Sequence, residues 1–240
     1  MRKEFSRTGL LLGEAAMQRL ADSRVAVFGL GGVGGHACEA LARSGVGALD
    51  LIDHDTVSVT NLNRQIIALH STIGRYKVEV MAERIHDINP ACKVQARKLF
   101  FLPETQADFD FRQYDYVIDA VDTVTAKISL VLQCREAGTP IISSMGAGNK
   151  LNPAAFEVAD IYKTSVDPLA RVMRKELKAR QVERLKVVYS REKPLQPLGE
   201  SEETAYKPHL PGSTAFVPSV AGLIIASEVI KDLISEEEAG

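Results

Sequence analysis

The chain has 240 residues, 45% of them apolar and 25% charged, with a formal net charge of −2. That composition suits one large soluble core and excludes a polyanion binder that works by bulk charge, so any basic surface must be local. Cys38, Cys92 and Cys134 are far apart with no CxxC pair, which excludes a zinc knuckle and leaves three small core residues.

In chain order, a short arm that includes Glu4–Gly9 precedes a helix over Gly13–Ala21 with Ala16, Met17 and Leu20 inward. Val25–Phe28 is short, apolar and β-branched, as a buried strand should be. Gly29, Gly31, Gly32 and Gly34 then punctuate a tight turn into a helix carrying Val33, Ala37, Ala40 and Leu41 on one face. Strand, glycine turn and helix N-terminus form a phosphate cradle, because backbone N–H groups and the helix dipole meet an anion there. Ala48–Asp53 reads as the second strand, with Asp53 at its tip where an acid can hold a ribose hydroxyl. The connection His54–Tyr76 is too long for an ordinary strand–helix loop, and such a loop is expected to be functional or disordered.

Lys77–Ile88 is a helix with Val78, Met81, Ile85 and Ile88 on one face, stopped by Asn89-Pro90. Strands follow over Val94–Leu99, Tyr116–Ala120 and Pro140–Ser144, with a helix at Ala126–Ala137 closed by Gly138. This alternation predicts an α/β fold: a Rossmann-like, mostly parallel sheet with helices on both faces. After Lys150 come strands at Ala155–Ile161 and Lys186–Ser190 and a helix over Asp167–Gln181 with Leu169, Val172, Met173 and Leu177 apolar. A Pro- and Gly-interrupted loop spans Arg191–Gly212, a closing helix Pro218–Ser235, and an acidic tail Glu236–Gly240. The stretch Val217–Ile234 is broken by charge, and no long apolar run follows Met1–Phe5, so no signal peptide or integral membrane segment is expected; the expected location is cytoplasmic.

Polar residues gather where strands end: Asp53, Asp55, Asn61, Arg64, Gln65, Lys77 and Asp122. In an open α/β sheet that edge binds ligands. Lys77 opens a helix, an unfavourable end for a cation unless an anion is bound there, and a triphosphate would supply one. Arg64 and Lys77 would neutralise phosphate charge, and Asp122 could hold a Mg²⁺ that bridges phosphate oxygens. Between Arg171 and Lys193 nine basic residues, Arg171, Arg174, Lys178 and Arg184 among them, face three acidic ones, a local patch suited to a phosphate backbone.

Gly29-x-Gly-Gly-x-Gly34, Asp53-x-Asp-x-Val57, Asn61-Leu-Asn-Arg-Gln65, Lys77 and Asp119-Ala-Val-Asp-Thr123 resemble the ubiquitin-activating-enzyme-like (ThiF, MoeB, HesA) adenylyltransferases over roughly residues 4–150. The resemblance implies a homodimer that activates a carboxylate as an acyl-adenylate with ATP and Mg²⁺. It places Gly31 and Gly32 on the phosphates and Asp53 on the ribose. It also puts Asn61, Arg64 and Lys77 on phosphates, Asp122 on Mg²⁺, and Arg7 in the partner protomer's ATP site. Ser144–Leu151, Asp160–Thr164, Asp167–Arg171 and Lys186–Ser190 extend the likeness to the tRNA threonylcarbamoyladenosine dehydratases, so one domain over 1–240 is expected, with an ATP-binding half (1–150) and a C-terminal substrate-binding half (151–240). The function implied is ATP-dependent cyclisation of threonylcarbamoyladenosine in tRNA, with catalysis carried by Arg64, Lys77 and Asp122 and the tRNA held by Arg171, Arg174, Lys178 and Arg184. An adenylyltransferase for a sulfur-carrier protein, an NAD-dependent oxidoreductase and a nucleotide-binding scaffold are the competing readings, and sulfur-relay proteins are possible partners. The carbonyls of the Met145–Gly148 turn could coordinate a monovalent cation.

Overall fold

A computed structural model describes residues 2–199 and 211–235. Residues 200–210 of the expected loop and the acidic tail lie outside the described residues. The chain runs α1 (Ser6–Leu12), α2 (Glu14–Asp22), β1 (Arg24–Phe28), α3 (Gly34–Arg43), β2 (Ala48–Ile52), α4 (Lys77–Ile88) and β3 (Lys93–Arg97). It continues with β4 (Tyr116–Asp119), α5 (Val124–Ala137), β5 (Ile141–Ser144), β6 (Phe156–Asp160), α6 (Pro168–Ala179), β7 (Lys186–Ser190) and α7 (Val217–Ile234). The seven strands form one sheet in the order β3-β2-β1-β4-β5-β7-β6. Every pairing is parallel except that of β6 with β7.

Alternation along β1 builds both layers. Val25 and Val27 face a core shared with Leu20 of α2, Leu41 of α3, Met81 of α4 and Ile225 of α7. Ala26 and Phe28 face the other way, onto Phe101, Phe109, Phe111 and Ala126, Leu130 and Cys134 of α5. Phe28 stacks on Phe111 at 5.9 Å and meets Phe101 edge-on at 5.0 Å, a geometry that aromatic rings favour. Local chemistry sets the helix ends. Gly138 closes α5 in the left-handed region at φ 73°, and Asp167 caps α6 by accepting the Ala170 N–H at 2.8 Å, with Pro168 at the first helical position.

Two expectations need correction, the arm and the α6 stripe. The arm over Glu4–Gly9 is largely helical, as α1. The buried stripe of α6 is Ala170, Met173 and Leu177; Val172 is 43% exposed and lies off it. The two expected halves share one sheet, since β7 pairs with β5, and α7 packs most extensively on α3. Among the described residues no helix is long and apolar enough to cross a membrane.

Candidate active site

Strand order reverses in direction between β1 and β4, the crevice where open α/β sheets bind ligands. Register brings Phe28 level with Ile52 on one side and Asp119 on the other. The glycine turn, the tip of β2 and the loop after β4 therefore emerge together.

The four glycines divide into two kinds. Gly29 has φ 89°, and a Cβ there would stand 2.6 Å from the Ala120 carbonyl oxygen; a Cβ on Gly34 would overlap the Gly29 carbonyl. Both are required by close packing of β1, α3 and the β4 loop. Of the four, Gly31 has the most open space beside it, a Cβ built there meeting only Gln65 Nε2 at 4.0 Å, while a Cβ on Gly32 would stand 3.0 Å from Pro218 of α7.

Asp53 is buried, and each of its oxygens accepts a backbone N–H: Leu30 at 2.7 Å and Asp55 at 2.8 Å. It ties the tip of β2 to the glycine turn, a bracing role the sequence did not reveal. The connection 54–76 is ordered by a bridge between Thr56 and Tyr76 and by a capping box in which Asn61 Oδ1 accepts the Ser58 N–H at 3.1 Å. It folds the Asn61–Gln65 segment over the turn, so that the Arg64 carbonyl stands 3.5 Å from a Cβ built on Gly32. The Arg64 guanidinium bonds the Thr60 carbonyl and Asn63 Oδ1, both at 2.9 Å. Gln65 is buried, and its Oε1 has no hydrogen-bond partner among the described residues.

Lys77 is 5% exposed, and its ammonium lies 2.7 Å from Asp55 Oδ2. Asp55, which also lies 3.2 Å from His54 Nε2, supplies the anion that a lysine at a helix N-terminus requires. Asp122 is exposed and has no hydrogen-bond or ion-pair partner among the described residues. Its loop is held from below: Lys127, wholly buried, donates to Asp119 Oδ1 at 3.0 Å and to the Val121 carbonyl at 3.1 Å, and Ser143 Oγ donates to Asp119 Oδ2 at 2.6 Å. Lys127 was missed because a lysine inside a predicted helix defaults to a solvated face.

The other assigned residues lie elsewhere. Arg7 is exposed on α1, where Leu10 and Leu11 are 87% and 85% exposed. Arg171 and Lys178 are exposed on α6 and Arg184 just beyond it. Arg174 departs from the expected surface set, since its guanidinium is held by the carbonyl and hydroxyl of Thr164. Arg180, Lys186 and Arg191 are ion-paired with Glu176, Asp232 and Glu157. At the expected alkali-ion turn the Gly146 carbonyl accepts the Lys150 ammonium at 2.6 Å, and Lys150 also pairs with Asp167 in a buried contact. Cys38, Cys92 and Cys134 are buried, and burial raises all three thiols, Cys92 to about 11. None is a thiolate near neutral pH.

A glycine turn braced by a carboxylate thus has Lys77, Arg64 and Asp122 at the same strand edge, and the chain belongs to the ThiF family, which it matches over residues 5–239. Within that family it is 46% identical to the tRNA threonylcarbamoyladenosine dehydratase of Bacillus subtilis, across 99% of this chain and 97% of that protein. It also superposes on the crystal structure of the Escherichia coli tRNA N6-threonylcarbamoyladenosine dehydratase in complex with ATP. The TM-score is 0.88 at 39% identity, over 97% of this chain and 94% of that one.

Proposed function

We propose that this chain is an ATP-dependent tRNA threonylcarbamoyladenosine dehydratase. Near end-to-end similarity to the B. subtilis enzyme carries the reading, and the site chemistry agrees with it. The threonyl carboxylate of the modified base attacks the α-phosphate of ATP, and pyrophosphate leaves. The resulting acyl-adenylate is attacked intramolecularly by the neighbouring carbamoyl group, the ring closes and AMP departs. The oxygen lost from the carboxylate leaves on AMP, so ATP takes up the elements of water. Because the attacking group is already tethered to the acyl carbon, ring closure needs no enzyme nucleophile, in keeping with three buried thiols.

In this reading Gly31 leaves room for the phosphates, and Lys77 and Arg64 turn from Asp55, Thr60 and Asn63 to the negative charge that develops on phosphate oxygens. Asp53 keeps a second lone pair on each oxygen for the ribose hydroxyls. Asp122, a carboxylate with no protein partner among the described residues, fits a hard divalent cation and would hold Mg²⁺, which when bound would draw charge from the phosphates. The basic stripe of Arg171, Lys175 and Lys178, at helical spacing on the exposed face of α6, with Arg184 beyond, would take the tRNA backbone. Arg7 and the exposed leucines of α1 would meet a second copy, with Arg7 entering its ATP site.

The test is ATP–pyrophosphate exchange with tRNA bearing threonylcarbamoyladenosine, the same tRNA unmodified, and a sulfur-carrier protein with a free C-terminus. Exchange and AMP release with the modified tRNA alone are expected. Exchange driven by the carrier protein alone would replace this reading with the carrier-activating one.

A further inference from the structure

The strap Gly212–Phe216, which leads into α7, has no part in the nucleotide motif, yet it is clamped to it. Asn63 Nδ2 donates to the Ser213 carbonyl at 3.0 Å, while Asn63 Oδ1 accepts from Arg64. Asn149, in the left-handed region at φ 57°, grips Gly212 twice: its N–H donates to the Gly212 carbonyl at 2.7 Å and its Oδ1 accepts the Gly212 N–H at 2.6 Å. Two residues past the strap, Pro218 presses on Gly32. The strap is therefore held at both ends beside the phosphate turn.

We propose that this strap is the subsite for the modified nucleobase, with the Phe216 ring as its stacking platform and Thr214 Oγ1 and Gln65 Oε1 as polar contacts to the threonylcarbamoyl group. The inference rests on the dehydratase reading. That chemistry requires the substrate carboxylate to reach the α-phosphate, so the base that bears it must be held within a side chain's length of the glycine turn. RNA-modifying and RNA-binding proteins hold a splayed base on an aromatic face. Phe216 is 47% exposed at the start of α7. A lone exposed phenylalanine would be ordinary, but this one stands two residues from Thr214, whose buried Oγ1 has no hydrogen-bond partner among the described residues, and Gln65, whose side-chain amide lies 4.0 Å from a Cβ built on Gly31, carries a buried Oε1 in the same state. Buried polar atoms are normally bonded, and an orphan calls for a partner that arrives with a ligand. A ureido-linked threonine brings N–H and hydroxyl donors for a side-chain carbonyl such as that of Gln65, and carbonyl acceptors for a hydroxyl such as that of Thr214.

Steady-state kinetics on full-length variants with modified tRNA, alongside ATP binding by calorimetry, test this. Phe216→Ala and Phe216→Leu should raise KM for modified tRNA roughly tenfold, as loss of one stacking partner does, while ATP affinity stays at the parent value and Phe216→Tyr behaves as parent. Thr214→Val should narrow the ratio of affinities for modified over unmodified tRNA. The proposal is overturned if folded Phe216→Leu keeps the parent KM, or if ATP affinity falls with it, since the ring would then only buttress the turn. No turnover of modified tRNA by the unaltered protein would instead defeat the dehydratase reading itself.

Discussion

At Lys127 a full positive charge is kept at 0% exposure, paired with an equally buried Asp119. Such a pair is weak support for stability as a whole, but breaking it by removing one partner typically costs about 3–5 kcal/mol because a charge is left alone in the core. Lys127→Met should therefore lower the urea-unfolding free energy by that order. Lys127→Met combined with Asp119→Asn should recover most of the loss. The double variant should nonetheless turn over slowly, because the Val121 carbonyl has lost its tether and the Asp122 loop is no longer held; kcat measured beside the urea midpoint separates the two effects. A single variant as stable as the parent would remove the argument. At this scale the sequence was half legible. The glycines, Asp53, Arg64, Lys77 and Asp122 could be picked out by spacing at strand ends. What Asp53 and Asn61 do with their side chains could not be, because spacing reports where a residue stands and not which backbone N–H lies within reach.

Among the elements, α4 and β7 have the bounds that their apolar periodicity predicted, and β1, β2 and β5 lie within a residue of theirs. Strand order was not legible, since nothing in the period of β7 says that it pairs with β5. Helix α1 was read as an arm because it buries nothing within its own chain, and periodicity signals a helix only through the face it hides. Helix α6 shows the opposite lesson. Met173 and Leu177 of its expected stripe are buried, but Ala170 completes the buried face in place of Val172, and Arg174 was counted with the surface although it is bonded to Thr164. Charge reversal is thus best made at Arg171, Lys175 and Lys178, all exposed on α6 and without ion-pair partners among the described residues. That triple variant should bind tRNA more weakly and reduce the slope of log affinity against log salt by roughly one unit per lost phosphate contact. ATP binding should be unchanged. Filter binding across a salt series reads the slope, and an unaltered slope in the folded variant would move the tRNA elsewhere.

For the whole molecule, Arg7 and the exposed Leu10 and Leu11 stand three and four residues apart, on one face of α1. A two-fold assembly through that face would give each ATP site an arginine from the other copy. Arg7→Ala and Lys77→Ala would each be impaired alone, Lys77→Ala by about 10²–10³-fold. Mixed in equal amounts after subunit exchange, they should regain roughly a quarter of parent activity, because half of the dimers are mixed and one of the two sites in each is whole. No recovery on mixing would place Arg7 outside the partner's site. The contact of Pro218 with Gly32, and of α7 with α3, carries a further consequence for the making of the protein. A chain leaving the ribosome presents every residue of its nucleotide motif before synthesis has reached the helix that supports them. Domains close around their cores as units, so a chain cut before α7 should bind ATP more weakly than the parent, which calorimetry would read. An enzyme that makes a reactive acyl-adenylate would thereby stay silent until α7 has closed on α3.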